Sequence, residues 1–173
     1  MSEKPDFSRS DLTTTIHLSS LKALSPHLAS IVENLTDEDR EVLAQLPLGS
    51  GMFIVATGPA KGSRFLVDKT TTTIGRQIDS DIFLDDVTVS RKHAVVESSK
   101  VSETSPSQTS QTVSSQSRTF ILKDLGSLNG TYVDGLPREV CELSNGNEIH
   151  IGKFKLIFFA NDGQNLNFNN LRK

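Results

Sequence analysis

From residue 51 onward the chain is written in short runs of β-branched and aromatic residues, each cut off by turn-forming residues. Such runs occupy 52–57, 63–67, 70–74, 81–84, 94–97 and 119–124, and the apolar stretch 153–160 closes the series. The breaks carry their own chemistry. Gly58-Pro59-Ala60-Lys61-Gly62 suits a hairpin loop, and Asp134-Gly135 and Asn145-Gly146 are dipeptides that tolerate the backbone of tight hairpin turns. No convincing helical periodicity separates the runs. About ten or eleven strands in roughly 110 residues, without helices to cover a parallel sheet, predict an all-β antiparallel sandwich over 51–160.

Other segments depart from this rhythm. Residues 98–119 hold nine Ser and four Thr in 22 positions, with too few apolar side chains to offset the entropy of ordering, and read as a disordered loop insertion. Its flanks, Ala94-Val95-Val96-Glu97 and Phe120-Ile121-Leu122-Lys123, can pair directly across it, because closure entropy grows slowly with loop length. Residues 1–20 are polar and Ser/Thr-rich, the pattern of a disordered tail. Over 21–46, Leu21, Leu24, Leu28, Ile31, Val32 and Leu35 recur at three- and four-residue steps and Val42, Leu43 and Leu46 follow, which predicts an amphipathic, partly helical extension. Pro26 places a first helix start at Ser25 as cap, and Thr36 caps a second, with Asp37, Glu38 and Asp39 at its positive end. Residues 47–51 read as a linker and 161–173 as a C-terminal tail.

Composition excludes several function classes. The net charge is −3, without the clustered Lys and Arg that binding to nucleic acid requires. Its distribution is uneven: residues 1–46 carry four basic against eight acidic side chains, a net −4, so the segment is either a solvated tail or a ligand for a basic pocket in its own chain. Cys141 is the only cysteine, which leaves no internal disulfide and no Cys-rich zinc site. His17, His27, His93 and His150 lack metal-ligand spacing, so no metal or other cofactor is expected. No apolar run approaches the ~20 residues that span a bilayer, and Met1-Ser2-Glu3-Lys4-Pro5 does not open a signal peptide; a cytoplasmic protein with no membrane partner is the expectation.

The stretches that can carry chemistry are Ile74-Gly75-Arg76, Ser90-Arg91-Lys92-His93 and Gly126-Ser127-Leu128-Asn129-Gly130-Thr131, all at strand ends or in loops. Arg76 offers a planar guanidinium able to grip two oxygens, Ser90 a hydroxyl, and Arg91 a second cation; together they suit a phosphate ester. Asn129 carries both a donor and an acceptor, as holding an extended peptide backbone requires. Taken singly, each has a plain explanation: a loop arginine is a solvated charge, Ser90 can cap a turn, and Asn129-Gly130 is a common turn dipeptide. A catalytic alternative would pair Ser90 with His93, with Asp85, Asp86 or Asp124 completing a triad. The chain has no Gly-x-Ser-x-Gly elbow, HExxH, P-loop or GxGxxG, so no catalytic residue and no enzyme activity is expected.

In their order and spacing, Gly75-Arg76, then Ser90-x-x-His93, then Asn129-Gly130 resemble the forkhead-associated (FHA) domain family over roughly 51–160. The resemblance implies an eleven-stranded β-sandwich whose apical loops bind phosphothreonine peptides. It implies that Arg76 and Ser90 contact the phosphate, Arg91 assists, Asn129 and Ser127 hold the ligand backbone, and His93, Gly75 and Gly130 support the loops. Residues 62–66, 79–91 and 126–133 further resemble the actinobacterial subgroup of glycogen accumulation regulators and oxoglutarate dehydrogenase inhibitors. That likeness implies that the unphosphorylated FHA surface binds and inhibits the 2-oxoglutarate dehydrogenase E1 component, and in some members also regulates glutamate dehydrogenase and glutamate synthase. It places a phosphorylation site for a Ser/Thr protein kinase at Thr13-Thr14-Thr15, whose modification would dock the tail in its own pocket. The competing reading is an FHA adaptor that recruits phosphorylated partners in trans.

Overall fold

The computed structural model describes residues 26–100 and 118–162. Its strands are β1 (Gly51–Thr57), β2 (Arg64–Val67), β3 (Thr71–Gly75), β4 (Ile82–Phe83), β5 (Ala94–Lys100), β6 (Arg118–Asp124), β7 (Thr131–Val133), β8 (Leu136–Pro137), β9 (Val140–Glu142), β10 (Glu148–Ile151) and β11 (Phe154–Ala160). They form a six-stranded sheet, β2-β1-β11-β10-β7-β8, and a five-stranded sheet, β4-β3-β5-β6-β9. This is the all-β sandwich expected from the turn rhythm. One pairing differs: β3 and β4 run parallel, with Ile74 opposite Ile82, so the loop between them crosses over where a hairpin would turn back.

Alternation along the strands sends Phe53, Val55, Phe120, Leu122, Leu156 and Phe158 into the layer between the sheets. The Phe158 ring is tilted against Phe53 at 5.1 Å and meets Phe120 edge-on at 5.2 Å. The strands bordering the Ser/Thr-rich insertion run further than composition predicts. Ser98, Ser99 and Lys100 pair with Phe120, Thr119 and Arg118, and the Ser98 hydroxyl donates to the Lys69 carbonyl at 2.7 Å. Polar side chains do not prevent a ladder whose bonds come from the backbone. The remainder of the insertion, the tail with Thr13, Thr14 and Thr15, the cap position Ser25 and residues 163–173 lie outside the described residues.

Two short helices precede the sandwich, α1 (Pro26–Glu33) and α2 (Asp37–Ala44). Thr36 Oγ1 accepts from the Asp39 N–H at 3.1 Å, and the Asp39 carboxylate accepts from the Thr36 N–H at 3.1 Å, a reciprocal cap on α2. Arg40 donates to the Val32 and Glu33 carbonyls at 3.3 Å, which satisfies the end of α1. The helices lie on the outer face of the six-stranded sheet: Ile31, Leu35 and Leu43 pack with Met52, Ile54, Ile157 and Phe159. Strands β1 and β11 are therefore buried on both faces, which is why 154–160 reads as an almost unbroken apolar run. Arg64 Nε donates to Asp39 at 2.6 Å and ties α2 to β2.

The expected linker is fixed to the sandwich. Leu46 and Ser50 are buried, the Gly49 N–H donates to the Asn161 carbonyl at 2.7 Å, and the Asn161 side chain donates to the Leu46 carbonyl at 2.7 Å. Replacing the fully buried Leu43 with Ala should cost about 2–4 kcal/mol through lost burial and the cavity left behind. Urea unfolding reads this as a lower midpoint with unchanged slope; an unmoved midpoint would show that the helices do not contribute to the stability of the fold.

Candidate functional site

Three loops, 76–81, 84–93 and 125–130, meet at one end of the sandwich. The first two are joined through their backbones: the Arg76 N–H donates to the Ser90 carbonyl at 3.0 Å and the Gln77 N–H to the Arg91 carbonyl at 3.2 Å. Gly75 allows this approach, because a Cβ at that position would stand 2.1 Å from the Arg91 carbonyl oxygen. Between the loops opens a cleft of about 580 Å³, lined by Arg76, Ser90, Arg91, Lys92, Leu128 and Asn129 among others.

The loops around the cleft are fixed from behind by His93, whose side chain is fully buried. Its Nδ1 accepts the Ser90 N–H at 3.1 Å, so Nε2 carries the proton and donates to the Gly130 carbonyl at 3.2 Å. Burial holds the imidazole below its ordinary titration range, and the Gly130 carbonyl and the Asp124 charge offset this only in part. One neutral ring thus joins the loop that carries Ser90 to the loop that carries Asn129. Asp124, at the end of β6, reinforces the second loop. It accepts the Ser127 N–H at 2.7 Å, the Ser127 hydroxyl at 2.6 Å and the Thr131 hydroxyl at 2.6 Å. Burial raises the Asp124 pKa, but these hydrogen bonds outweigh it and hold the carboxyl below its usual range.

On the open side, Ser90 Oγ accepts the Leu128 N–H at 3.0 Å, while no hydrogen bond among the described residues uses its proton. Asn129 Nδ2 donates to the Thr88 carbonyl at 2.8 Å and leaves its amide oxygen available. Thr88 is itself held: its hydroxyl donates to Asp86 at 2.6 Å and accepts the Lys153 N–H at 3.1 Å. Arg76 and Arg91 are exposed and form no ion pair among the described residues.

Arg76, Ser90, Arg91 and Asn129 are thus brought to one cleft, with Gly75, His93 and Gly130 behind them. Ser127 does not join them. It is not among the residues that line the cleft, and its hydroxyl donates to Asp124 at 2.6 Å. Thr88 was not legible as a site residue, Lys92 had no role assigned and Asp124 figured only as a triad alternative; for Asp124 the available signal was a carboxylate followed three residues later by Ser, an Asx-turn arrangement. Both His93 nitrogens face backbone groups, so the ring forms no nucleophile and base pair with the Ser90 hydroxyl.

This arrangement defines a binding module, and residues 72–152 match the FHA domain family. Over 115 residues the chain is 48% identical to the oxoglutarate dehydrogenase inhibitor of Corynebacterium efficiens, a match covering 66% of this chain and 69% of that protein. It is 47% identical over 115 residues to the glycogen accumulation regulator GarA of Mycolicibacterium smegmatis, covering 66% and 62%. The chain belongs to the FHA-domain family, in the group that holds the oxoglutarate dehydrogenase inhibitors and GarA. The matched segment spans about two thirds of these relatives' length. The fold is also that of the Slr1951 protein of Synechocystis, at TM-score 0.50 and 24% identity, over 63% of this chain and 95% of that one. No helix among the described residues is long and apolar enough to cross a membrane.

A buried neutral His93 makes stability depend on pH with a definite sign. In the unfolded chain the imidazole takes up a proton near its ordinary value of 6.5, while in the fold it resists, so stability present above that pH is lost as the pH falls through the lowered folded value. The urea midpoint should be lower at about pH 5.5 than at about pH 7.5. Equal midpoints would contradict a neutral ring bridging the two loops.

Proposed function

We propose that this chain is a phosphothreonine-binding regulator that, when unphosphorylated, binds and inhibits 2-oxoglutarate dehydrogenase through its E1 component. Phosphorylation of Thr13, Thr14 or Thr15 by a Ser/Thr kinase switches it off by docking the tail in the Arg76 cleft of the same chain. Glutamate dehydrogenase and glutamate synthase are further targets in this reading. The observation that carries it is the cleft, where two guanidinium groups and a hydroxyl proton, none spent internally among the described residues, converge beside the Asn129 amide. Charge-assisted bonds from Arg separate a phosphate dianion from a neutral hydroxyl, the means by which FHA domains read phosphorylated motifs. The enzyme target is supported by those relatives that are named oxoglutarate dehydrogenase inhibitors, such as that of Corynebacterium efficiens.

Chain length supports self-docking. Leu28 packs over Gly146 before β10, and Thr88 packs over Gly152 after it; these two glycines are six residues, or about 20 Å of strand, apart. Twelve residues separate Thr14 from Pro26, enough to span at most about 40 Å. Without phosphate, Arg76 has no dianion to hold and the cleft stays open to partners.

The test is 2-oxoglutarate dehydrogenase activity with the chain added before and after kinase treatment, beside calorimetry of the phosphothreonine peptide. Inhibition by the unmodified chain should disappear on phosphorylation, and Arg76→Ala should weaken the peptide by at least about tenfold. No inhibition in either form would remove this enzyme as target and favour an adaptor acting in trans. An unchanged Arg76→Ala affinity would move the phosphate site elsewhere.

A further inference from the structure

The cleft carries more positive charge than one phosphate needs. Arg76, Arg91 and Lys92 line it, all are exposed, and no carboxylate is among its lining residues. Of the carboxylates in the neighbouring loops and strand ends, Asp79 and Asp85 are exposed and do not line the cleft, and Asp81, Asp86 and Asp124 are engaged elsewhere. Asp86 holds Thr88 and lies 3.4 Å from Lys153, Asp81 holds Thr73 and Lys69, and Asp124 holds Ser127 and Thr131. A phosphothreonine brings a charge of about −1.5 to −2 at neutral pH, which Arg76 and Arg91 balance. Lys92 forms no ion pair among the described residues, in a chain whose overall charge is −3.

We infer that the cleft takes a phosphothreonine peptide with a second anionic group two residues from the phosphothreonine, and that Lys92 selects it; this rests on the phosphate reading of the Arg76 site. The spacing follows from geometry. Lys92 comes two residues after Ser90, so their Cα atoms lie within about 7 Å of each other. An extended peptide presents every second side chain to the same side, also about 7 Å apart. The chain's own tail has that register: Asp11, Thr13 and Thr15 fall on one parity, whereas Thr14 is flanked at the same distance by Leu12 and Ile16. The second anion is therefore either an acidic side chain, as Asp11 is to Thr13, or a second phosphate, as Thr13 is to Thr15.

Three synthetic peptides covering residues 8–20 separate these sources when titrated by calorimetry into the unphosphorylated full chain at low salt. The first carries phosphothreonine 13 with Asp11→Asn, the second phosphothreonine 13 with Asp11 retained, the third phosphothreonines 13 and 15 with Asp11→Asn. The second should bind about threefold tighter than the first, and the third about fivefold or more, because a phosphate carries the larger charge. Lys92→Gln should bring these ratios close to one, and Lys92→Arg should keep them. Equal affinity of the three peptides, or ratios that survive in Lys92→Gln, would overturn the second subsite while leaving the phosphate site in place. Failure of all three to bind would overturn the phosphate site and the subsite together.

Discussion

A single buried imidazole holds the binding end of this molecule together. His93 accepts the Ser90 N–H and donates to the Gly130 carbonyl, and each bond has its use only because the other exists. The first forces the proton onto Nε2, and the second gives that proton a partner where no water reaches. Loops that would otherwise differ in position from moment to moment are thereby held at one separation. Ser90 and Asn129, which stand on those loops, face a common cleft before any ligand arrives. Binding energy is then not consumed in ordering the loops.

The ring is supported in turn by the two sheets. β6 ends at Asp124, whose carboxylate gathers Ser127 and Thr131, so side chains close the loop that carries the chain from one sheet to the other between β6 and β7. Thr88 performs a similar office on the other side, joining Asp86, Asn129 and the turn between β10 and β11. The helices act at a distance from the cleft. By covering Ile54, Ile157 and Phe159 they let β1 and β11 be apolar at both parities, and they set Leu28 of α1 against Gly146.

Much of this was legible in the residues. Turn chemistry and alternation placed the strands, and Thr36 with Asp39 announced the start of α2. Arg76, Ser90, Arg91 and Asn129 could be grouped because their residue types answer to one ligand chemistry. What was missed has physical reasons. The apolar face of 26–46 was plain, but a face does not name what it packs against; the complementary sign lay in 154–160, where apolar residues at both parities demand cover on both sides. Ser98 and Ser99 looked like loop because composition reports side chains while ladders are made by backbone. Ser127 was grouped with the ligand contacts because a hydroxyl in a binding loop can face either way; in the fold it donates to the Asp124 carboxylate.

The central claim is that a phosphothreonine of the N-terminal cluster settles between Arg76 and Ser90 of its own chain. Phosphorus NMR of the phosphorylated full chain, followed through pH, tests it most directly, since neighbouring cations favour the dianion and lower its second ionisation. The account predicts a phosphate that titrates well below the value of about 6 for a free phosphothreonine, independently of protein concentration, and that returns to that value in Arg76→Ala. A phosphate that titrates as free phosphothreonine does in the intact chain would contradict it.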